Sequence, residues 1–279
     1  VTSTHDRSAL DHRKLAGLLE DVGWSAPVPV ILATTESTNV EVAALAARGA
    51  VEGTCVVAEE QTAGRGRQGR AWVSPPNAGL WMSVLVRPGD VPSSRWTWLP
   101  LLAGLAATDA IVALGRIPVA LKWPNDLVLS DGNTGSTRKL GGILSEALSG
   151  SSSGPNVDGG EAIVIGIGVN VSLTAAELPT DHATSLLLEG GTTDREALLA
   201  GILRHLVVRL DQWRTGDPEL AADYWNSCLS IGRIVEVSLP GGVQLRGEAT
   251  GIDADGHLLI ESEGKTVSIT AGDVIHATI

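Results

Sequence analysis

Apolar residues recur along this chain with two different periods, and each period marks an element. Residues 8–22 set Leu10, Leu15, Leu18 and Leu19 on one side, the spacing of an amphipathic helix. Val28–Leu32, after Pro27, is a short β run. The pattern then predicts a helix over Val40–Arg48, with Ser37, Thr38 and Asn39 as candidate N-caps and Gly49 just past its end. Cys55–Ala58, Leu80–Val86, Val119–Trp123 and Leu127–Leu129 are predicted strands. Pro124-Asn125 and Asp131–Thr137 are predicted turns, and Leu140–Leu148 is the return strand of a hairpin. Trp96–Leu114 is apolar nearly all round, as a buried helix would be. Ala162–Val171 is an unbroken β-branched run, consistent with a central strand. Helices follow over Asp194–Trp213, capped by Asp194, and from about Pro218 to Leu229.

The period changes at Ile231. From there to Ile279 short alternating strands are separated by Pro240-Gly241-Gly242, Asp253-Ala254-Asp255-Gly256 and Gly264, the pattern of a small antiparallel barrel. Ser149–Gly160 is Ser/Gly-rich and predicts a flexible surface connection. No internal repeat is visible. The expected organisation is α+β, with a larger domain over 1–230 and a small one over 231–279. The small domain is expected to be dispensable for folding of the larger one and needed for full activity.

Composition narrows the class. The 279 residues carry 43% hydrophobic and 19% charged side chains, enough apolar content for a packed core. The formal net charge of −12 argues against binding nucleic acid or an anionic membrane surface. Phe is absent and Tyr occurs once, so the eight Trp supply most of the bulky contact area. Cys55 and Cys228 are lone thiols in apolar settings and form no disulfide framework. The His residues lack zinc-ligand spacing. No apolar run reaches membrane-spanning length without a charge, and Val1–Arg13 lacks the apolar core of a signal peptide. A cytoplasmic protein is expected. The 8–22 helix alone is too little for a helix-turn-helix DNA-binding unit.

Against this acidic background one stretch stands out: Gly64-Arg65-Gly66-Arg67-Gln68-Gly69-Arg70. Glycines let backbone approach a ligand, and the guanidinium fork suits carboxylate and phosphate. A mobile loop that closes over a small anion is one reading; a solvated basic turn is the other. Lys122-Trp123-Pro124-Asn125-Asp126 and Lys139-Leu140-Gly141-Gly142-Ile143-Leu144 each put a lysine beside an apolar strand, which is costly unless an anion partners it. Lys122 and Lys139 flank one hairpin and can serve a common anion. Asp126 suits a magnesium ion or a ribose; with Asn125 it also suits plain turn chemistry. Asn170, ending Gly166-Ile167-Gly168-Val169-Asn170, suits a nucleotide or a strand cap. Ser37, Thr38 and Asn39 either cap a helix or present hydroxyls at its N-terminus. There is no Ser-His-Asp order, no carboxylate pair and no P-loop. What remains is anion binding, which suits activation of a carboxylate by ATP, a reaction that needs positioning and charge stabilisation.

Taken together, Ser37-Thr38-Asn39, Gln61-Thr62-Ala63-Gly64-Arg65-Gly66-Arg67-Gln68-Gly69-Arg70, Lys122–Asp126, Lys139–Leu144 and Gly166–Asn170 resemble, in order and spacing, the biotin protein ligases. The resemblance covers roughly residues 30 to 279. It implies a catalytic domain related to class II aminoacyl-tRNA synthetases, a mixed sheet flanked by helices, followed by an SH3-like β-barrel. It also implies that Ser37, Thr38, Asn39, Gln61, Arg65, Gly66, Arg67, Lys139 and Gly142 meet biotin. Arg67, Arg70, Trp72, Lys122, Asn125, Asp126 and Asn170 fall on the ATP side, and Lys139, Arg65 and Arg67 act in the chemistry. ATP is the cofactor, with Mg2+ carried on it near Asp126 rather than held by the protein alone. The carrier domain of an acyl-CoA carboxylase is the implied partner. Two departures matter: Gln68 stands where some members have a basic residue, and the DNA-binding extension of the bifunctional members is missing, so repressor activity is not expected. A lipoate ligase is the same-fold rival; an RNA-binding module is the rival from another class, opposed by the acidic charge.

Overall fold

The centre of the molecule is set by two long and almost wholly apolar strands. The computed structural model describes residues 7–115, 117–130, 136–148, 161–239, 244–270 and 272–276. Strand β3, Gly79–Val86, is buried at every position. It pairs antiparallel with β7, Ala162–Asn170, over their whole length. Around them a seven-stranded sheet runs β1-β2-β3-β7-β6-β5-β4, with β1 Val30–Leu32, β2 Cys55–Ala58, β4 Val119–Lys122, β5 Asp126–Ser130 and β6 Thr137–Leu148. Only β1 and β2 are parallel; the sheet is mixed.

Alternation divides the two faces. Leu80, Met82, Val84 and Val86 of β3 and Ile163, Ile165, Ile167 and Val169 of β7 join the main core with helix α3, Trp98–Gly115. Leu85, Val56 and Val164 face the other way, onto helix α2, Thr38–Ala47. Helix α4, Arg195–Thr215, packs over α3, and α1, His12–Asp21, packs on α4. The stretch Ser93–Gly115, a 3-10 turn leading into α3, is long and apolar enough to cross a membrane by length and composition. It is instead a core helix, packed against the sheet and α4.

Several boundaries move for identifiable reasons. α1 starts at His12, not residue 8, because the Asp11 carboxylate accepts from the Arg13 and Lys14 amides and ends the extended segment before it. That segment is spoken for: the Leu10 amide donates to Glu59 at 2.5 Å. The predicted helix from Trp96 opens as the 3-10 turn Ser93–Thr97. Strand β6 begins at Thr137, three residues early. The predicted connection 149–160, most of the turn at 131–137 and the turn at 240–242 lie outside the described residues.

After α5, Glu219–Ser227, the chain enters a five-stranded antiparallel sheet of order β11-β10-β9-β8-β12. Its strands are β8 Ile234–Ser238, β9 Gln244–Ile252, β10 Leu258–Ser262, β11 Lys265–Ile269 and β12 Asp273–His276. The expectation that this part is dispensable for folding meets an obstacle. Val235, Val237, Ala249, Leu258, Ile260 and Ile269 belong to the same apolar cluster as Trp98 and Tyr224. Trp98 donates its indole N–H to Ala254 O at 2.9 Å, Ser94 donates to Asp255 at 3.0 Å, and Thr97 donates to the Asp255 carbonyl. Gly256 sits at φ 88° against Trp98, where an added Cβ would be 3.1 Å from the indole. Cutting at 230 therefore opens a core rather than a linker.

Candidate active site

The α2 face of the sheet carries a cavity of about 530 Å3. Every candidate residue named from the sequence lines it: Ser37, Thr38 and Asn39; Gln61; Arg65, Gly66, Arg67, Arg70 and Trp72; Lys122, Asn125 and Asp126; Lys139 and Gly142; and Asn170. They arrive from the start of α2, the loop after β2, the β4–β5 turn, β6 and the end of β7.

Two cross-strand rows form the floor. Trp81, Gly168 and Gly142 are register partners across β3, β7 and β6; Ser83, Gly166 and Leu144 form the next row. Trp72 lies on the first row. A Cβ at Gly168 would be 2.9 Å from its indole, and one at Gly142 would be 3.3 Å away. Trp72 meets Trp81 edge-on at 6.3 Å. Asn39 lies on the second row, where a Cβ at Gly166 would be 2.3 Å from its amide oxygen. The alternate glycines of β7 are thus seats for two side chains that form the cavity wall.

The polar cluster at the start of α2 is not chiefly a cap. Ser37 occupies the N-cap position without a side-chain cap hydrogen bond. Thr38 N donates to Gln61 Oε1 at 2.9 Å, and Gln61 Nε2 donates to Ser74 at 3.1 Å. Asn39 Nδ2 donates to Glu146 at 2.5 Å. Ser83, fully buried, lies 2.7 Å from the Thr38 hydroxyl and 2.6 Å from Asn39 Oδ1. Sequence reasoning missed Ser83 and Glu146; the available signal was one hydroxyl in the otherwise apolar run Leu80–Val86.

The arginine loop has its own scaffold. Gly66 N donates to Arg70 O at 2.7 Å and Trp72 N to Gly64 O at 2.8 Å, a hairpin-like closure. Gly64 is required there, since a Cβ would be 2.6 Å from the Trp72 carbonyl. Gln68 turns the chain at φ 57° and accepts from Arg70 at 3.2 Å. Arg67 reaches Asn125 Oδ1 and the Gly272 carbonyl, each at 3.3 Å, so the loop spans to the C-terminal sheet. Val274 and Ile275 of that sheet also line the cavity.

Lys139 and Lys122 both line the cavity; the Lys139 ammonium is 2.6 Å from Asp126 Oδ1 and 5.3 Å from the centre of the Trp72 ring. Asn170 is buried and donates to Thr184 O at 2.9 Å, tying β7 to the 183–187 segment. Cys55 and Cys228 are free and buried, and burial pushes both thiols up, the setting of structural cysteines. Among the described residues no group of three His, Cys, Asp or Glu gathers to hold a metal.

Comparison with known proteins resolves what such a cavity belongs to. Residues 32–170 match the model of the "Biotin/lipoate A/B protein ligase family", and residues 230–277 match the "Biotin protein ligase C terminal domain". The chain is 42% identical to the biotin–[acetyl-CoA-carboxylase] ligase of Mycobacterium tuberculosis, over 97% of both chains. It belongs to the biotin protein ligase family. Solved structures agree with this membership. The biotin protein ligase of Aquifex aeolicus in complex with biotin and ATP superposes with a TM-score of 0.73 at 26% identity, covering 89% of this ligase and 99% of that chain. The Leishmania major ligase in complex with biotinyl-5-AMP gives 0.60 at 25% identity, covering 88% of this ligase and all of that chain.

Proposed function

We infer that this chain attaches biotin, with ATP, to a specific lysine of the biotin carboxyl carrier domain of an acyl-CoA carboxylase. The observation that carries the reading is the convergence of five separated motifs on one cavity that holds a basic loop, a lysine and a Trp-covered glycine floor. In the first step a biotin carboxylate oxygen bonds to the α-phosphorus of ATP and pyrophosphate leaves, giving biotinyl-5′-AMP. In the second a lysine ε-amine bonds to the acyl carbon, AMP leaves and the amine loses a proton.

Arg65, Arg67 and Lys139 offset charge on the carboxylate and phosphate during both steps. The Lys139 ammonium, 2.6 Å from Asp126, has further N–H donors to offer the substrate carboxylate. Ser37, Thr38, Asn39, Gln61, Gly66 and Gly142 form the biotin end; Arg70, Trp72, Lys122, Asn125, Asp126 and Asn170 form the nucleotide end. The donor set fits Mg2+ that arrives on the triphosphate, because Asp126 offers one carboxylate and magnesium keeps most of its shell from phosphate and water. When bound, that ion supplies charge neutralisation for the leaving pyrophosphate.

The mixed sheet with its flanking helices supports a class II aminoacyl-tRNA synthetase-like catalytic domain over 1–230. The five antiparallel strands support an SH3-like barrel over 231–279. The net charge of −12 supports an enzyme with no DNA or membrane partner, and two free, buried thiols support a cytoplasmic setting. ATP–pyrophosphate exchange with and without biotin tests the reading: exchange should require biotin, and exchange that ignores it would overturn the assignment. Lipoate offered in place of biotin should support none.

A further inference from the structure

Three oxygen–oxygen contacts around Thr38 share only two hydroxyl protons. Thr38 Oγ1 lies 2.7 Å from Ser83 Oγ and 3.1 Å from Gln61 Oε1, and Ser83 Oγ lies 2.6 Å from Asn39 Oδ1. Which contact goes without a proton is decided at the far end of the chain. Glu146 presents a carboxylate oxygen to Asn39 at 2.5 Å, and a carboxylate only accepts, so the Asn39 NH2 must face it. Asn39 Oδ1 is then fixed toward Ser83, and Ser83 must donate to it. Ser83 has then spent its one proton, and of the two acceptors left to Thr38 the Ser83 oxygen is the nearer, at 2.7 Å against 3.1 Å for Gln61 Oε1. The Thr38 proton is thereby turned into the protein.

Gln61 is pinned in the same sense. Its Oε1 accepts from the Thr38 amide at 2.9 Å while its NH2 donates to Ser74 at 3.1 Å. Thr38 and Gln61 both line the cavity. They face it as two acceptor oxygens 3.1 Å apart with no proton between them.

We propose that the chain Glu146–Asn39–Ser83 is a specificity device that locks Thr38 and Gln61 as paired acceptors for an N–H donor on the substrate. It rests on the ligase reading and deepens it. A cyclic urea has N–H groups to fill this pair, whereas the dithiolane of lipoate has none and would leave two acceptors unpaired. Ser83 and Glu146 are positioning residues: Ser83 is fully buried and Glu146 is exposed, and neither lines the cavity.

The test uses biotin and two isosteric analogues in which one or the other ring N–H is replaced by oxygen, giving cyclic carbamates. ATP–pyrophosphate exchange is measured on the full chain. In the wild type, the carbamate that turns its oxygen to Thr38 and Gln61 should lose at least about 100-fold in kcat/KM against biotin, mostly in KM. In Ser83→Ala the Thr38 proton loses its inward acceptor and turns to the cavity side, where Gln61 Oε1 and a substrate oxygen can share it. Biotin should then weaken about tenfold, while the penalty on that carbamate falls to about tenfold or less. Glu146→Gln, a surface change that frees the Asn39 amide to turn over, should relax the same ratio with little change in melting temperature. Ser83→Thr, which keeps the hydroxyl, should restore it.

Equal losses for biotin and carbamate in both variants would reduce the chain to a structural role and overturn the proposal. So would a wild type that uses both carbamates as well as biotin. Wild-type exchange that ignores biotin altogether would instead overturn the ligase reading itself, and this inference with it.

Discussion

Glu59 and Arg195 form an ion pair whose rupture should be measurable in the stability of the whole chain. Both are almost fully buried, 6% and 5% exposed, with Nη1 and Oε2 2.5 Å apart. The second Glu59 oxygen accepts the Leu10 amide at 2.5 Å, and Arg195 also donates to Ser8 O at 2.7 Å and Gly79 O at 3.3 Å. Glu59→Ala strands a guanidinium in the core and leaves the Leu10 amide without its acceptor. Breaking such a pair from one side costs about 3–5 kcal/mol. At roughly 2–4 °C per kcal/mol for a chain somewhat smaller than this one, the melting temperature should fall by about 10 °C.

The double variant Glu59→Met/Arg195→Met removes both charges and restores volume. What then remains is the unpaired Leu10 amide and the Ser8 and Gly79 carbonyls, about 1–3 kcal/mol for each one left unsatisfied. Because no charge is stranded, the double variant should cost clearly less than the sum of the two singles. Urea unfolding followed by tryptophan fluorescence and far-UV circular dichroism, with coincident transitions, supplies the free energies. A Glu59→Ala variant within 1 kcal/mol of wild type, or a double variant that costs the sum of the singles, would refute the reasoning.

Four further outcomes are expected. Lys139→Ala should slow single-turnover adenylation by about 10²–10³-fold, the 2.7–4 kcal/mol typical of one lost charge-stabilising donor, with the fold intact by circular dichroism. Gly168→Ala places a methyl 2.9 Å from the Trp72 indole and should raise the KM for ATP; an unchanged KM would show that Trp72 yields without consequence. Arg67→Gly removes the bonds to Asn125 and Gly272 and should increase free biotinyl-5′-AMP counted by chromatography, more than it weakens ATP binding. The Arg7 guanidinium bonded to Glu177 holds that carboxyl at about 2 instead of 4.5. The stabilisation is therefore full above pH 4.5 and lost as pH falls toward 2; wild type should exceed Glu177→Gln by a constant margin above pH 5, and the two should converge at pH 2.

What was legible in the sequence divides by how local the physics is. The strands and helices read correctly where one period held over many residues, as in Ala162–Asn170 and α4. Helix starts read poorly where tertiary partners decide: Asp11 ends the segment before α1 because Leu10 and Asp11 have partners on Glu59 and Glu196. The motif residues were visible because basic and glycine-rich stretches are unusual in an acidic chain. Their supports were not. Ser83 is one hydroxyl among apolar neighbours, and Glu146 is one exposed acid among many; only strand register brings them to Asn39. In the sequence Gly166 and Gly168 carry no role of their own beyond belonging to the stretch that ends in Asn170. In the fold they admit Asn39 and Trp72, which no spacing rule encodes. The closeness of β12 to the cavity was equally hidden, because sequence distance gives no sign of it.

The floor and the rim of the cavity stand on backbones of very different protection. Its floor is the row structure of β3, β7 and β6, whose amides are laddered on both sides in the middle of a seven-stranded sheet. Such amides exchange with deuterium only when the whole domain opens. Its rim is a seven-residue loop closed by a few hydrogen bonds and the marginal strand β12 of the small sheet. These amides should exchange through local openings, orders of magnitude faster. A ligand entering from the rim thus meets recognition groups whose ordering entropy was already spent when the chain folded. The freedom lost on binding is confined to the loop, so affinity and residence time can be tuned there without disturbing which molecule is recognised below.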